Sequence, residues 1–354
     1  MATAFRYQIP VAETQWKFEG QTDTAFTWEY EDGREKLLTL YDKGKKQQWD
    51  AATRIDWSQD LDPENPMLMD DQSVQIWGSP VWERLTDKER TRVRHNLQAQ
   101  SISQFMHGEQ GALIATAKIV QTVPDADAKF YAATQVMDEA RHVEAYARLL
   151  HEKFEIAYPI TPGLKTLLEQ TISDRRWDMT YLGMQVLIEG LALAAFQRIR
   201  DMAKNPLAAA VNAYVMQDEA RHVAFGRLAL REYYPQLTDA ERDEREEFVV
   251  EACYQMRDRF NQREVWENLG LPVRECVEAT MNSDQMQQFR RRIFTRIVPT
   301  VKDIGLWGAR VQKAYTDMGV MEFAQVDAAA MLENDNRVAQ EFDARRVVTE
   351  RLGG

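Results

Sequence analysis

The chain is 354 residues long and 44% hydrophobic, so it can bury one large core or two ordinary ones. Its formal net charge of −12 argues against nucleic acid or an anionic membrane surface as a partner, although local arginines or lysines would still accept an acidic small substrate. The two cysteines, Cys253 and Cys276, form no CxxC pair, which argues against a disulfide framework or a thiolate zinc site and favours a reducing, cytoplasmic setting.

The N-terminal part of the chain, up to Pro80, differs in composition from the rest and is rich in Trp, Pro, Asp and Gly. It contains one predicted helix, at 34–49. We therefore expect residues 1–80 to be an N-terminal extension that packs on a helical domain formed by residues 81–354. We see no secretory leader at the start and no apolar run long enough to cross a membrane, because the longest run, 187–196, is short and contains Glu189.

Beyond Pro80, apolar residues recur every three or four positions to about residue 345, which is the pattern of amphipathic helices. Clusters such as VPDAD and YPITPG separate these stretches. The sequence shows no alternating strand pattern of any length, so the predicted class is all-α with helices longer than average. The predicted helices span 84–121, 125–155, 163–203, 206–233, 239–268 and 284–316, followed by a shorter C-terminal helix.

One short motif occurs twice in the helical region. DEARHV begins at Asp138 in VMDEARHVEAY and again at Asp218 in VMQDEARHVAFG. The apolar segments GEQGALIATAKI and IEGLALAAFQRI align at the same offset, which pairs Glu109 with Glu189. In each copy a single Glu precedes the ExxH of the motif by the same interval, from Glu109 to Glu139 and from Glu189 to Glu219, so the chain contains an internal repeat of a helix pair.

This shared interval matches an antiparallel helical hairpin. Pro124 lies midway between Glu109 and Glu139 in the sequence. Because each helical residue rises about 1.5 Å, a turn at this proline brings both carboxylates to the same height. The second copy turns in the same way just before Asn205, a predicted N-cap that is followed by Pro206 as the first helical residue.

Two such hairpins packed together bring four carboxylates and two imidazoles to one place, since each Glu of an ExxH shares a helix face with its His. Burying an uncompensated charge costs on the order of several kcal/mol or forces protonation, so we expect two cations to neutralise the carboxylates. Oxygen and imidazole ligands suit iron or manganese. A single DEAR motif is more typical of a surface ion-pair patch, but that interpretation explains neither the two equal intervals nor a Glu inside LIEGLALAAF.

Over residues 85–235 the chain resembles the ferritin-like di-iron carboxylate superfamily, whose motif it matches in six residues. The resemblance implies a four-helix bundle with additional N- and C-terminal helices, two iron ions or a manganese–iron pair, and O2 as co-substrate. It also implies that Asp138 and Asp218 accept from the ligand His of the opposite hairpin, and that Arg141 and Arg221 pair with these aspartates. The metal ligands implied by the resemblance are Glu109, Glu139, His142, Glu189, Glu219 and His222.

The segment 37–60 is similar to the N-terminal region of ribonucleotide reductase small subunits, with Trp49 and Trp57 either as the matching aromatics or as ordinary core residues. Tyr146, one helical turn after a ligand His, occupies the position of the radical-forming Tyr of those subunits; the alternative is a buried Tyr bonded to a ligand carboxylate. Those subunits also carry a Tyr in the C-terminal tail. Here the last Tyr is Tyr315, which counts against the reductase role.

Small and apolar residues near the implied ligands predict a substrate cavity, with plain helix packing as the alternative. Leu193 lies one turn after Glu189, where soluble multicomponent hydroxylases carry a Thr, and Leu113 is its counterpart in the first copy. No third His lies between Glu189 and Glu219, so the arylamine N-oxygenase pattern with an extra imidazole is not supported. The predicted pocket residues are Ala112, Leu113, Ala192, Leu193 and Phe196.

The predicted function is that of an O2-activating di-iron oxidoreductase, a monooxygenase of a small apolar or aromatic organic substrate. Because the chain has no GxGxxG fingerprint and no cysteine cluster, we expect electrons from a separate reductase or ferredoxin. Two alternatives stay open: a radical-generating subunit of ribonucleotide reductase type with an Fe/Fe or Mn/Fe centre, and an iron-storage relative of ferritin. We also expect a homodimer in the cytoplasm, with no nucleic-acid or membrane partner.

Overall fold

The computed structural model describes residues 15–20, 22–30 and 33–352, and within these ranges it contains helices and no β-strand. The predicted all-α class is therefore confirmed. Two predictions fall on residues outside the described ranges: the absence of a secretory leader, which concerns residues 1–14, and the end of the tail without tyrosine, residues 353–354.

The helices are α1 (Glu35–Lys46), α2 (Ala51–Arg54), α3 (Pro80–Arg84), α4 (Asp87–Thr122), α5 (Ala126–Arg148), α6 (Pro162–Ser173), α7 (Trp177–Tyr181), α8 (Glu189–Met202), α9 (Pro206–Tyr233), α10 (Asp239–Asp258), α11 (Arg263–Asn268), α12 (Val273–Asn282), α13 (Asp284–Arg292), α14 (Ile297–Asp303), α15 (Ala309–Asp317) and α16 (Ala328–Leu352).

The centre of the fold is a bundle of two helical hairpins, α4–α5 and α8–α9. The internal repeat is visible in the helix ends. The first helix of each hairpin ends at Thr122 or Met202, and the second begins at Ala126 or Pro206, so both boundaries recur at the offset of the repeated motif. The predicted pair of hairpins is thus present, with α5 and α9 in contact with each other.

Matching N-caps fix where each hairpin turns. The side-chain oxygens of Asp125 and Asn205 accept from the backbone N–H groups of Ala128 at 2.8 Å and Ala208 at 3.1 Å. Pro206 occupies the first turn of α9. The predicted cap at Asn205 is confirmed, and the shared capping geometry sets the height of the residues that follow in both hairpins.

A π-helical stretch, Leu182–Ile188, joins α7 to α8 and ends directly before Glu189, whereas the π-helical stretch of the first hairpin, Leu149–Phe154, follows α5. Such stretches are rare and are frequent at functional sites. The stretch Leu182–Ile188 lies against α9 at Gly226, where an added Cβ would stand 2.4 Å from the Cβ of Gln185. The missing side chain at Gly226 therefore lets the π-helical stretch approach α9 closely.

The predicted single helix at 163–203 is wrong, because the chain breaks at Asp174 between α6 and α7. Lys118 on α4 ends α6: its ammonium donates to the carbonyl of Ile172 at 2.6 Å and to that of Asp174. Arg176 then pairs with the Asp174 carboxylate at 2.7 Å. A lysine that is distant in the sequence thus decides this boundary.

The predicted helices at 239–268 and 284–316 are also interrupted. The first divides into α10 and α11 next to Gln262, which takes a left-handed φ of 58°. The second divides into α13, α14 and α15, and α15 starts after Gly308, whose N–H donates to the Glu246 carboxylate at 2.6 Å. An added Cβ at Gly308 would lie 2.2 Å from that carboxylate, so a tertiary contact again sets the boundary.

The N-terminal segment lies on the bundle. The predicted helix at 34–49 is present as the shorter α1, which contacts α5 and α9 and buries Leu37 and Leu40. Further along, Trp57 shares a hydrophobic cluster with Tyr146 of α5. The division of the chain at residue 80 into an extension and a bundle domain stays a prediction.

One continuous helical segment, Trp177–Met202, is long and apolar enough to cross a membrane by length and composition alone. In the fold, 94% of its most apolar window is buried, as in the core helix of a bundle. Glu189 lies near the middle of this segment, so a carboxylate is placed deep in the apolar interior.

Candidate metal centre

Acidic and imidazole side chains from four helices converge inside the bundle. Ligand atoms from these side chains form two groups, and within each group all atoms lie within 4.8 Å of one another. Two of the glutamates belong to both groups, so the cluster offers two adjacent cation positions that share two carboxylates. The first group comprises Glu109, Glu139, His142 and Glu219, and the second comprises Glu139, Glu189, Glu219 and His222.

Several polar atoms of this cluster lack the hydrogen-bond partners that buried groups need, among the described residues. None of the six side chains belongs to a residue more than 4% exposed. No hydrogen bond satisfies Glu139 Oε2, Glu189 Oε2 or Glu219 Oε1. The same is true of His222 Nδ1, although it lies 3.1 Å from Glu139 Oε1. Since cations would satisfy all these atoms, the residues fit a di-metal centre of oxygen and nitrogen ligands.

The raised pKa values of two carboxyl groups in the cluster also indicate a site for cations. Burial raises the pKa of both Glu109 and Glu189 well above the usual range of a carboxyl group, and the negative charge of Glu219 raises each of them further. Four glutamates at such short range cannot all be ionised in an apolar core without added positive charge. Two cations would supply that charge and would displace the protons.

Both histidines turn Nδ1 to the carboxylates and Nε2 to an aspartate of the opposite hairpin. His142 Nδ1 lies 3.2 Å from Glu109 Oε2, and its Nε2 lies 3.1 Å from Asp218 Oδ2. His222 Nε2 lies 3.2 Å from Asp138 Oδ2. An aspartate at Nε2 holds the proton there and leaves the Nδ1 lone pair for a cation. The structure therefore brings the two aspartates to the places that the resemblance implies.

Two buried arginines neutralise the aspartates. Arg141 pairs with Asp138 and crosses to Asp218 at 2.8 Å, while Arg221 pairs with Asp218 and lies 3.5 Å from Asp138. Although burial acts to raise it, the pKa of Asp218 lies well below its usual range because of the charge of Arg221. This aspartate thus stays an anion that can accept from the histidine.

A cavity of about 1180 Å³, including its open mouth, leads from the surface to the cluster. Glu109, Glu189 and Glu219 form part of its wall, so three of the six converging side chains are reached from this side. The remaining wall near them is small or apolar. Three of the predicted pocket residues line it: Ala112, Ala192 and Phe196.

The other two predicted pocket residues lie elsewhere. Leu193 borders a second, smaller cavity beside Arg296, and the half-buried Leu113 is not part of the wall of the large cavity. Each of them follows an alanine that does line the cavity. At both places the turn of about 100° per residue carries the leucine side chain off the face that lines the large cavity.

Two arginines that border the cavity have no acidic partner among the described residues. Within the described parts of the chain Arg259 makes no ion pair; its guanidinium stacks on Phe260 at 4.7 Å, and burial lowers its pKa to about 10. Arg198 makes one hydrogen bond of 3.4 Å, to the carbonyl of Ser73. Apart from the glutamates of the cluster, the acidic residue among the described lining residues is Glu264. This part of the wall therefore carries uncompensated positive charge.

Comparison with known proteins identifies the family. The family model described as P-aminobenzoate N-oxygenase AurF matches residues 31–305, which include both copies of the repeated motif. The chain belongs to the AurF family. It is therefore an enzyme, a non-haem di-metal oxygenase or oxidase that uses O2 and acts on a small molecule, and the predicted superfamily, enzyme class and cofactor type are confirmed. No curated protein matches the chain.

Solved structures similar to this AurF-family chain include variants of an R2-like ligand-binding oxidase. Two of them, each with an anaerobically reconstituted Mn/Fe cofactor, are 17% and 18% identical, with TM-scores of 0.46 and 0.47. A third, with a non-activated Mn/Mn cofactor, is 18% identical with a TM-score of 0.45. Each match covers 79% of this chain and 96% of the other.

Membership of the AurF family corrects one inference from the sequence. The lack of a His between Glu189 and Glu219 argues against an arylamine N-oxygenase pattern, yet the family model matches throughout this region. The match to the family model therefore does not depend on an additional imidazole in this segment.

The segment 47–49, QQW, bonds to the aspartates of both hairpins. Gln48 donates from Nε2 to Asp138 Oδ1 at 2.8 Å, and Trp49 donates from Nε1 to Asp218 Oδ2 at 2.8 Å. The resemblance to reductase subunits singles out the tryptophan, whereas the glutamine was not predicted. The feature of the sequence that could have indicated Gln48 is its position directly before Trp49.

Two other aromatic residues named by the resemblance make different contacts. Trp57 donates from its indole to the carbonyl of Ala51 and packs in the core. Tyr146 is fully buried, and its hydroxyl donates to Asn212 Oδ1 at 3.1 Å, so the alternative of a bond to a ligand carboxylate is wrong. Tyr146 nevertheless lies near the cluster: burial raises its pKa well above the usual range, and the charges of Glu109 and Glu219 raise it further.

One residue in contact with the cluster was not predicted at all. Gln135, one turn before Glu139 on α5, donates to two of the glutamates. Its signal in the sequence is this spacing of one helical turn, which places it on the same helix face as Glu139. A lone Gln at that spacing is common in surface helices, so the pattern alone does not select it.

Proposed function

We propose that this protein is a monooxygenase that transfers one oxygen atom of O2 to a small organic substrate held in the cavity beside a di-metal centre. When bound, the metal pair supplies the binding and reduction of O2. The main support for the proposal is that the cavity reaches the metal-binding cluster, because three glutamates of the cluster form part of the cavity wall. Membership of the family favours this function over the radical-generating and iron-storage alternatives.

In this proposal each hairpin completes one metal position. Glu139 and Glu219 are the shared ligands, since both belong to the two groups of converging atoms. A Glu and a His of the first hairpin complete one position, and a Glu and a His of the second complete the other. Asp138 and Asp218 hold the histidine protons at Nε2, so that both Nδ1 atoms face the metals.

The wall of the cavity defines the substrate class. Close to the cluster, Ala112, Ala192 and Phe196 favour an apolar or aromatic body and exclude water from the reacting end. Arg198 and Arg259 have no acidic partner among the described residues and offer positive charge, so we infer that the substrate carries an anionic group. A small aromatic amine with a carboxylate, such as the p-aminobenzoate named for the family, has both features.

The source of electrons and the assembly are proposals as well. Cys253 and Cys276 are both buried and free, and the sequence has no nucleotide-binding fingerprint. Electrons therefore come from a separate reductase or ferredoxin in this proposal. We further propose a homodimer in the cytoplasm, in line with the acidic net charge and the reduced cysteines.

The proposal is tested by aerobic turnover of the iron-loaded protein with p-aminobenzoate, a chemical reductant and ¹⁸O2, followed by mass spectrometry of the product. We expect two metals per chain and ¹⁸O on the amine nitrogen. Aniline, which has the amine without the carboxylate, is the matched control and should react with a higher KM. A product without ¹⁸O, or a protein that retains no metal, would overturn the proposal.

Arg259→Gln tests the anionic end of the substrate. A hydrogen bond between charged partners contributes about 1.5–3 kcal/mol, so KM for p-aminobenzoate should rise roughly 10- to 100-fold while KM for aniline stays the same. Arg257→Gln is the matched control, because this neighbour pairs with Asp258 and does not line the cavity. An unchanged KM for p-aminobenzoate in Arg259→Gln would show that the anionic group does not bind there.

A further inference from the structure

The side-chain amide of Gln135 is buried between two carboxylates of the cluster. Its Nε2 donates to Glu139 Oε1 at 3.0 Å and to Glu189 Oε1 at 2.8 Å, and the residue is 0% exposed. The orientation of the amide follows from its neighbours, because turning Oε1 toward the carboxylates would place three acceptors together. Gln135 Oε1 faces no hydrogen-bond donor, so the contacts to the glutamates hold the side chain in place.

The internal repeat shows that this contact belongs to one half only. The residue that corresponds to Gln135 in the second copy is Val215, which is equally buried but has no polar atom. The corresponding pair of carboxylates, Glu219 and Glu109, therefore receives no bond from this position. Both glutamates that Gln135 contacts belong to the second group of converging atoms.

These bonds decide which carboxylate oxygens remain for a cation. Gln135 occupies the Oε1 atoms of Glu139 and Glu189, whereas the Oε2 atoms of both have no partner. Groups that hydrogen-bond to a metal-ligating carboxylate fix its orientation, and their removal weakens metal binding. Gln135 therefore orients Glu189, which belongs to one metal position only, together with Glu139, which both positions share. No equivalent residue orients Glu109, the carboxylate that belongs only to the other position.

We propose that Gln135 is a positioning residue that raises the metal affinity of the position built from Glu139, Glu189, Glu219 and His222, and so makes the two positions inequivalent. This inference rests on the proposed di-metal function. It extends that function by assigning a residue outside the six ligands to the difference between the two positions.

The test is titration of the metal-free full-length protein with Mn(II) alone, with free Mn(II) followed by EPR, for wild type and Gln135→Met. Methionine keeps the chain length and the burial but cannot donate. We expect wild type to bind two Mn(II) and the variant to bind Mn(II) at the position of Glu189 roughly 10- to 100-fold more weakly, with a smaller loss at the other position, which contains Glu139 but not Glu189. Val215→Ala, at the equivalent buried position, is the matched control and should bind both.

Double variants identify the affected position. In a His142→Ala background, where the second position keeps its own histidine, Gln135→Met should weaken the remaining Mn(II). In a His222→Ala background the same change should weaken the remaining Mn(II) less, because that position contains Glu139 but not Glu189. Two wild-type affinities in Gln135→Met, or equal weakening of both positions, would overturn the inference and leave the proposed function standing. A wild type that binds no Mn(II) would instead overturn the proposed function.

Discussion

The two hairpins of the bundle supply the same ligand types at the same spacing, with the same aspartate and arginine partners, but differ at several neighbouring positions. In the first hairpin Glu109 lies within the continuous helix α4, whereas in the second Glu189 directly follows a π-helical stretch. Gln135 of the first half corresponds to Val215 of the second. The residue equivalent to Tyr146 is Gly226, which leaves the room that the π-helical stretch occupies.

The shared and the differing residues of the two hairpins correspond to two functions of the site, cation binding and substrate binding. Cations require a fixed number and type of ligands, so the repeat keeps the glutamates, the histidines and their aspartate and arginine partners in both halves. A substrate approaches from one side only, because the described cavity wall is formed by the first helix of each hairpin, α4 and α8, and by the π-helical stretch, far more than by α5 or α9. The asymmetric residues are therefore where specificity for substrate and metal loading should be found.

Substitution of the proposed metal ligands, which the two hairpins supply in the same pattern, should give the largest effects. Glu139→Ala removes a carboxylate that both positions share, so we expect loss of both metals. His142→Ala and His222→Ala each remove a ligand from one position and should leave one metal per chain, with turnover at background in all three variants. Metal analysis by mass spectrometry after desalting checks this. Two metals retained in Glu139→Ala or His222→Ala would contradict the ligand assignment.

The symmetric features of the site are those that the sequence predicts. The constant offset between the two copies of the motif locates both hairpins, the cap at Asn205 and the six side chains, because helix rise and capping are local properties. The crossed contacts of Asp138 and Asp218 follow once the hairpins are known to pack as a pair. These features need only the spacing of residues along helices.

The asymmetric features depend on contacts that no local pattern contains. The break at Asp174 requires the ammonium of Lys118, and the start of α15 requires the Glu246 carboxylate. Gln135 bonds to Glu189, which is distant in the sequence, and becomes a candidate only when both side chains are placed. The two leucines assigned to the pocket fail for a related reason, since spacing gives the turn of the helix but not the direction of the cavity.

We expect a smaller effect from changes at Asp138 and Asp218, the aspartates that bond to the Nε2 atoms of the two ligand histidines. Asp218→Asn should weaken the metal position of His142, and Asp138→Asn that of His222, each by about 10- to 100-fold, because an amide no longer fixes the imidazole tautomer. Mn(II) titration measures both. Asp243→Asn, which alters an exposed ion pair with Arg310, is the control. Equal weakening of both positions by either change would argue against the crossed pairing.

The pH dependence of metal binding should affect both halves alike. Burial and the Glu219 charge raise the pKa of Glu109 and of Glu189, so each holds a proton at a higher pH than an exposed glutamate does. Ligation needs the ionised form, so metal affinity should rise with pH and fall as pH falls through these raised values. The pKa of each ligand histidine is raised as well, so calorimetry in two buffers of different ionisation enthalpy should show the release of at least one proton per metal. Binding without proton release would contradict the assignment of these two glutamates as ligands.

Tyr146→Phe should have the smallest effect and tests the asymmetry between Tyr146 and Gly226. The change removes one buried hydrogen bond to Asn212, whose own amide still donates to the Ala208 carbonyl at 2.8 Å, so we expect a loss of about 1 kcal/mol in the free energy of unfolding. Metal content and turnover should be retained. Denaturant unfolding and EPR of the aerobically reconstituted protein measure these quantities. A tyrosyl signal that is present in wild type and absent from the variant would instead support the radical-generating alternative, and the tyrosine would then be the functional difference between the two hairpins.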